Sequence, residues 1–274
     1  MTCTENLPRL ARQRERKHEM KKKEWLAGPA AFAAMLGALL VVWAVTDPDA
    51  LVRNFDNDGR SPFEIATLFV YAAIIPLVWW KNPFGGSARR RRLLALAVSV
   101  VAFMAIVKEL DLHLAFLKLV YPECVGENGS MAPGFFKPDG RPLTGTPFKM
   151  RVLTNAAVPL GMKAVICLYF ALFFGLFAAL FAWFFPKWIK GVFALDAASW
   201  AWGCLGASGV VVQIADRLPA WLGHAHGLDK HAADGITKAT SLCTAIEEGS
   251  EMMLAVFALM TIWFGWRKLA KGER

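Results

Sequence analysis

Stretches of nearly uninterrupted apolar sequence recur six times along this chain, each long enough to cross a hydrocarbon core of about 30 Å as a helix. They fall at roughly residues 27–46, 62–80, 93–113, 156–185, 191–214 and 237–266. The fourth and sixth have length to spare for tilt or for projection beyond the bilayer. Because lipid offers no partner for a bare peptide group, segments of this kind fold as helices. The chain is 274 residues long and 56% apolar, above the roughly 45–50% of soluble domains. These runs predict an all-α fold, a polytopic membrane helical bundle of six transmembrane helices. They leave no room for a second globular domain.

The net charge of +9 invites a nucleic-acid reading, and its distribution rejects one. Eight Lys/Arg lie in residues 1–26, five in 81–92 including Arg89 to Arg92, two at Lys187 and Lys190, and four in 267–274. Those segments are the N-terminus, the second and fourth loops and the C-terminus, so they share one side of the predicted membrane domain. Basic loops face the cytoplasm, which predicts both termini inside and the loops 47–61, 114–155 and 215–236 outside. Residues 1–26 read as a basic cytoplasmic arm and 267–274 as a basic cytoplasmic tail. The partners implied are the lipid bilayer and, at the cytoplasmic face, anionic lipid. Oligomeric state is not readable from the sequence.

Local chemistry marks some boundaries. Ser61-Pro62-Phe63-Glu64 carries a Ser cap, Pro at the first helical position and an acid in the first turn, the start signals of span two. Residues 122–147, rich in Pro and Gly, predict irregular structure. Cys3, Cys124, Cys167, Cys204 and Cys243 form no CxxC pair and predict no disulfide.

Ionisable residues lie in or beside the apolar runs: Glu64, Glu109, Asp111, His113, Lys163, Asp216, Glu247, Glu248 and Glu251. By the predicted topology they fall toward the outer side. A charge at the centre of a membrane helix costs roughly 2.5–3.5 kcal/mol, so such groups pair, bind an ion or do chemistry. Glu109 and His113 are four apart, as are Glu247 and Glu251, and on a continuous helix such pairs share a face. Glu251 also lies three residues from Glu248, which gives it a second pairing. The expected site is catalytic Glu109, His113, Glu247 and Glu251, with Glu64, Lys163 and Asp216 in the surrounding ligand-binding shell. A divalent metal ion on Glu109, His113 and Glu251 is one reading, following the carboxylate/His ligand logic of helical bundles. The two Glu-x-x-His pairs of a full di-iron site are lacking. The alternatives are an ion-pair network with Lys108, Lys163 and Arg217, or a protonatable acid/base cluster. His224, His226 and His231 form a weaker candidate in the third outer loop.

Lys108-Glu-Leu-Asp-Leu-His113, Lys163, Ile214-Ala-Asp-Arg217 and Glu247-Glu-x-x-Glu251 recur in an order that resembles a family of uncharacterised bacterial six-span inner-membrane proteins. Its members carry an Arg/Lys-Glu-Leu-Asp-x-His segment, a later Asp-Arg and a Glu-Glu-x-x-Glu-Leu segment. The resemblance covers most of residues 60–260. Met252 stands where the family has Leu, and Leu114-Ala-Phe follows the His where the family is more polar. The resemblance implies a multi-pass protein of the bacterial inner membrane with a polar site and supplies no reaction. The expected function is an outward-facing acid/base or metal-dependent enzyme on a lipid or periplasmic substrate. The alternatives are a proton- or ion-coupled transporter or channel, or a non-catalytic sensor or assembly subunit.

Overall fold

The computed structural model describes residues 23–56, 61–126, 129–136, 140, 142–143, 145–226 and 238–272, and for 219–226 the backbone alone. Most of the basic arm with Cys3, the Asn128 of an Asn-Gly-Ser sequon, and His231 lie outside the described residues, as do the side chains of His224 and His226. Among the described residues the elements are α1 (Ala27–Val45), α2 (Pro48–Phe55), α3 (Pro62–Trp80), α4 (Ala88–Glu109), α5 (Leu112–Val120), α6 (Met150–Leu153), α7 (Leu160–Phe193), α8 (Ala197–His226) and α9 (Lys238–Ala270). The described residues contain no β-strand. α1, α3, α7, the Ala197–Leu218 part of α8, and α9 are long and apolar enough to cross a membrane, and α4 with α5 makes a sixth if that bent pair counts as one span.

Three expectations change. Span three, predicted as one helix over 93–113, is broken: α4 stops at Glu109, α5 starts at Leu112, and the two diverge by 73°. Lys187 and Lys190 were expected in a loop but lie on α7, which continues through Pro186 to Phe193. A proline inside a membrane helix is tolerated because local adjustment re-satisfies the freed carbonyl. The turn comes at Ala194–Asp196 instead, where Leu195 adopts φ 53° and Asp196 Oδ2 accepts from Ser199 N and Oγ at 3.1 and 2.8 Å. Finally, α8 extends to His226, so His224 and His226 stand on a helix rather than in a loop.

The chain divides into two compact units, residues 1–96 with 184–274 and residues 97–183. In the first, α9 packs against α8, α3, α1 and α2. Its core holds Leu39, Leu51, Phe55, Met253 and Phe257. Close approach is built from small residues. A Cβ on Gly249 would run into the side chain of Leu39, and one on Gly28 would lie 3.2 Å from the Ala201 backbone nitrogen. Trp43 Nε1 donates to Lys238 O at 3.0 Å, joining the end of α1 to the start of α9. At the other end of α9, Lys81 Nζ stands 3.9 Å from the ring centres of both Trp80 and Trp266, a cation–π arrangement suited to an aromatic membrane belt.

The second unit has its own core, in which Leu117 of α5 and Met162 and Ile166 of α7 pack with Cys124, Val125, Met131, Leu143 and Val152. The described residues of the Pro/Gly-rich segment are irregular, as predicted, with isolated bridges Val125–Met131 and Phe136–Pro142. It contributes buried side chains to that core.

Candidate functional site

The charged residues fare differently in the two units. In the first, Glu64 is buried and closes a reciprocal capping box. Glu64 Oε2 accepts from Ser61 N at 2.9 Å, and Ser61 Oγ accepts from Glu64 N at 3.0 Å. Ser61 Oγ also approaches Phe55 O at 3.0 Å, and Phe55 stacks on Phe63 with centroids 4.4 Å apart. These contacts fix the step from α2 to α3 and give Glu64 a structural task within its own unit.

Glu247, Glu248 and Glu251 lie on α9, the last buried and the other two half-buried. Carboxylate oxygens of Glu248 and Glu251 come within 4.8 Å of one another, so the three-residue spacing brings a pair of acids together. Glu248 was outside the expected site set. Its signal was the i,i+3 relation to Glu251. The Tyr71 hydroxyl of α3 donates to the backbone oxygen of Glu251 at 3.2 Å and fixes that turn of α9. Asp216, expected in the surrounding shell, is exposed on α8.

In the second unit the Lys108–His113 segment straddles the break between α4 and α5. Lys108 Nζ pairs with Glu109 Oε1 at 3.2 Å, with the Glu109 side chain 6% and the Lys108 side chain 50% exposed. Asp111 takes the left-handed conformation at φ 49°, ψ 21°, and its side chain does not cap α5. Left-handed backbone is costly for most residues and tolerated by Asp and Asn. The break removes the premise that Glu109 and His113 share a face, because four-residue spacing aligns side chains only on a continuous helix. His113 instead turns back toward the end of α4, where its Nδ1 lies 3.3 Å from Val107 O.

A carbonyl can only accept, so this contact is a hydrogen bond only when Nδ1 carries the proton. The lone pair of neutral His113 then sits on Nε2. The ring is held by aromatics: Tyr169 stacks on it at 5.4 Å and 16°, and Phe148 meets it edge-on at 4.7 Å. Phe148 and Tyr169 also touch each other, at 5.1 Å. Lys108, Glu109 and Asp111 all lie within electrostatic reach of Tyr169. Neither aromatic was predicted as a site residue. Phe148 comes from the irregular segment and Tyr169 from an aromatic-rich span, and neither carries a local signature. Lys163 is half-buried on α7 and has no ion pair among the described residues.

Of the four residues expected to be catalytic, Glu109 and His113 belong to the second unit and Glu247 and Glu251 to the first. The fold defines an all-α chain with several helices apolar enough to span a membrane. Compared with protein-family models, with curated proteins and with solved structures, the chain matches none.

Proposed function

We propose that this is a multi-pass inner-membrane protein, with both termini on the cytoplasmic side, that carries an acid/base site at the break between α4 and α5. It acts there on a lipid or periplasmic substrate. The observation that carries the reading is the position of His113, with Nδ1 against Val107 O and the ring stacked on Tyr169. A nitrogen oriented by a carbonyl on one side leaves the other free to take and return a proton. Lys108, held by Glu109, supplies a positive charge for an oxyanion or phosphate. Tyr169 and Phe148 hold the imidazole in one orientation, the positioning that general acid/base catalysis requires.

The test is turnover of a panel of lipids and soluble esters and phosphoesters by protein in vesicles, beside His113→Gln. Loss of turnover in the variant by about 100-fold or more, with the helical content unchanged, supports the reading. No turnover by the unaltered protein on any of the panel counts against it.

A second reading, ion-coupled transport, draws on two observations. The break between α4 and α5 is the kind of discontinuous helix that transporters place at ion sites. The Glu248–Glu251 pair supplies carboxylates suited to a cation. Proton or cation flux that depends on Glu251, without turnover, favours this second reading.

A further inference from the structure

On α5, Leu112, Phe116 and Leu119 follow one another at spacings of four and three and fall on one face of the helix. All three are exposed, Leu119 to 81%, while Leu117, about 140° around the helix, is completely buried in the core of its unit. Phe103 of α4 and Leu110 at the break are exposed as well. Lys108 and Lys118, both exposed, bracket the stripe.

α4 has 22 residues and is about 33 Å long, with Arg89 to Arg92 at one end and Lys108 at the other placed to snorkel toward the headgroups around its shorter apolar run. α5, with nine residues, would add about 13 Å if it continued straight. After the 73° bend it advances only about 4 Å along the direction of α4 at the same rise per residue. A short helix with one apolar face buried in the core of its unit, a second exposed, and lysines at its ends, turned sharply off α4, has the build of an interfacial helix.

We propose that α5 lies in the plane of the membrane interface at the end of α4. Leu112, Phe116 and Leu119 enter the acyl boundary, Lys108 and Lys118 meet lipid phosphates, and the ligand of the Lys108–His113 segment is a phospholipid headgroup. The headgroup assignment rests on the acid/base reading of His113, whereas the placement of α5 stands without it.

The test uses the full chain with Cys3→Ser and Cys167→Ser, in vesicles of phosphatidylethanolamine and phosphatidylglycerol. Nitroxide labels are placed one at a time through Leu112→Cys, Phe116→Cys and Leu119→Cys. Their depths are read from collision with oxygen against a water-soluble nickel chelate. All three labels within about 3–4 Å of one another, at the headgroup–acyl boundary, support the interfacial helix. A steady change of about 10 Å from 112 to 119 makes α5 part of a span and overturns it, as does exposure of all three labels to water.

A phospholipid with a photoreactive headgroup then tests the ligand without requiring turnover. Crosslinks mapped to residues 108–113 support the assignment. A flat α5 with no crosslink there overturns the headgroup claim while leaving the helix placement. Crosslinking in a protein whose turnover survives His113→Gln refutes the acid/base reading alone.

Discussion

Two helix starts in this molecule use acidic residues in opposite ways. At the start of α3, Glu64 is tied to Ser61 by two reciprocal hydrogen bonds and buried. At the start of α5, Asp111 occupies the cap position in a left-handed conformation with no capping bond from its side chain. The first arrangement stabilises a helix from its own sequence. The second holds a helix end in a conformation that local sequence does little to favour, supported by the Leu117 core and the His113–Tyr169–Phe148 stack. An acid in a membrane helix is therefore no indicator of chemistry by itself. What its carboxylate bonds to separates Glu64 from the Lys108–His113 segment.

The contrast can be broken most forcefully at Glu64. Glu64→Ala removes the acceptor for Ser61 N in a buried site and should destabilise the protein by about 2 kcal/mol, read as a fall in melting temperature in detergent. A shift no larger than that of an exposed control such as Asp216→Ala would equate the two helix starts. Asp111→Val should cost about 1–2 kcal/mol by forcing a β-branched residue to positive φ, whereas Asp111→Gly should stay within about 1 kcal/mol of the parent. Equal losses in both variants would locate the importance of Asp111 in its carboxylate rather than its backbone. Lys108→Gln should change stability least, by less than about 1 kcal/mol, because the lysine is half exposed. A larger loss would make the Lys108–Glu109 pair a structural element like the Ser61–Glu64 box.

Cys124 sharpens the comparison from the side of packing. Burial, then the neighbouring Glu123 carboxylate, pushes its thiol up to about 11 from an ordinary 9.0. A thiol held neutral in the folded state favours folding less as pH rises through the range where the unfolded chain ionises. This contribution is constant below about pH 9 and declines between about 9 and 11. Alkylation of buried Cys124 at pH 8 should be slow in the folded protein and fast after denaturation. Rapid labelling of folded Cys124 would show that the 121–149 segment does not pack as a core.

Much of this architecture is legible in the sequence. Span two was expected at 62–80 and α3 covers Pro62–Trp80, because Ser-Pro-x-Glu is a self-contained start signal and the Trp pair marks its end. Span one agrees to within a residue. The break at Leu110–Asp111 was not legible. No Gly or Pro marks it, and Lys-Glu-Leu-Asp-Leu-His reads as uninterrupted helix. The one hint is that Asp tolerates left-handed backbone, a preference too weak to predict a bend. Span four was expected to end near residue 185, whereas α7 carries Pro186 inside and runs on to Phe193. Of the candidate site, the polar residues could be read along the chain. Phe148 and Tyr169 could not, because tertiary packing brings them to His113.

The most direct measurement is the tautomer of His113, by nitrogen NMR of histidine-labelled protein in lipid, assigned by comparison with His113→Gln. The predicted result is a protonated Nδ1 and an unprotonated Nε2 in the neutral ring. A proton on Nε2, with Nδ1 bare, would mean that Val107 does not orient the imidazole and would contradict the acid/base site.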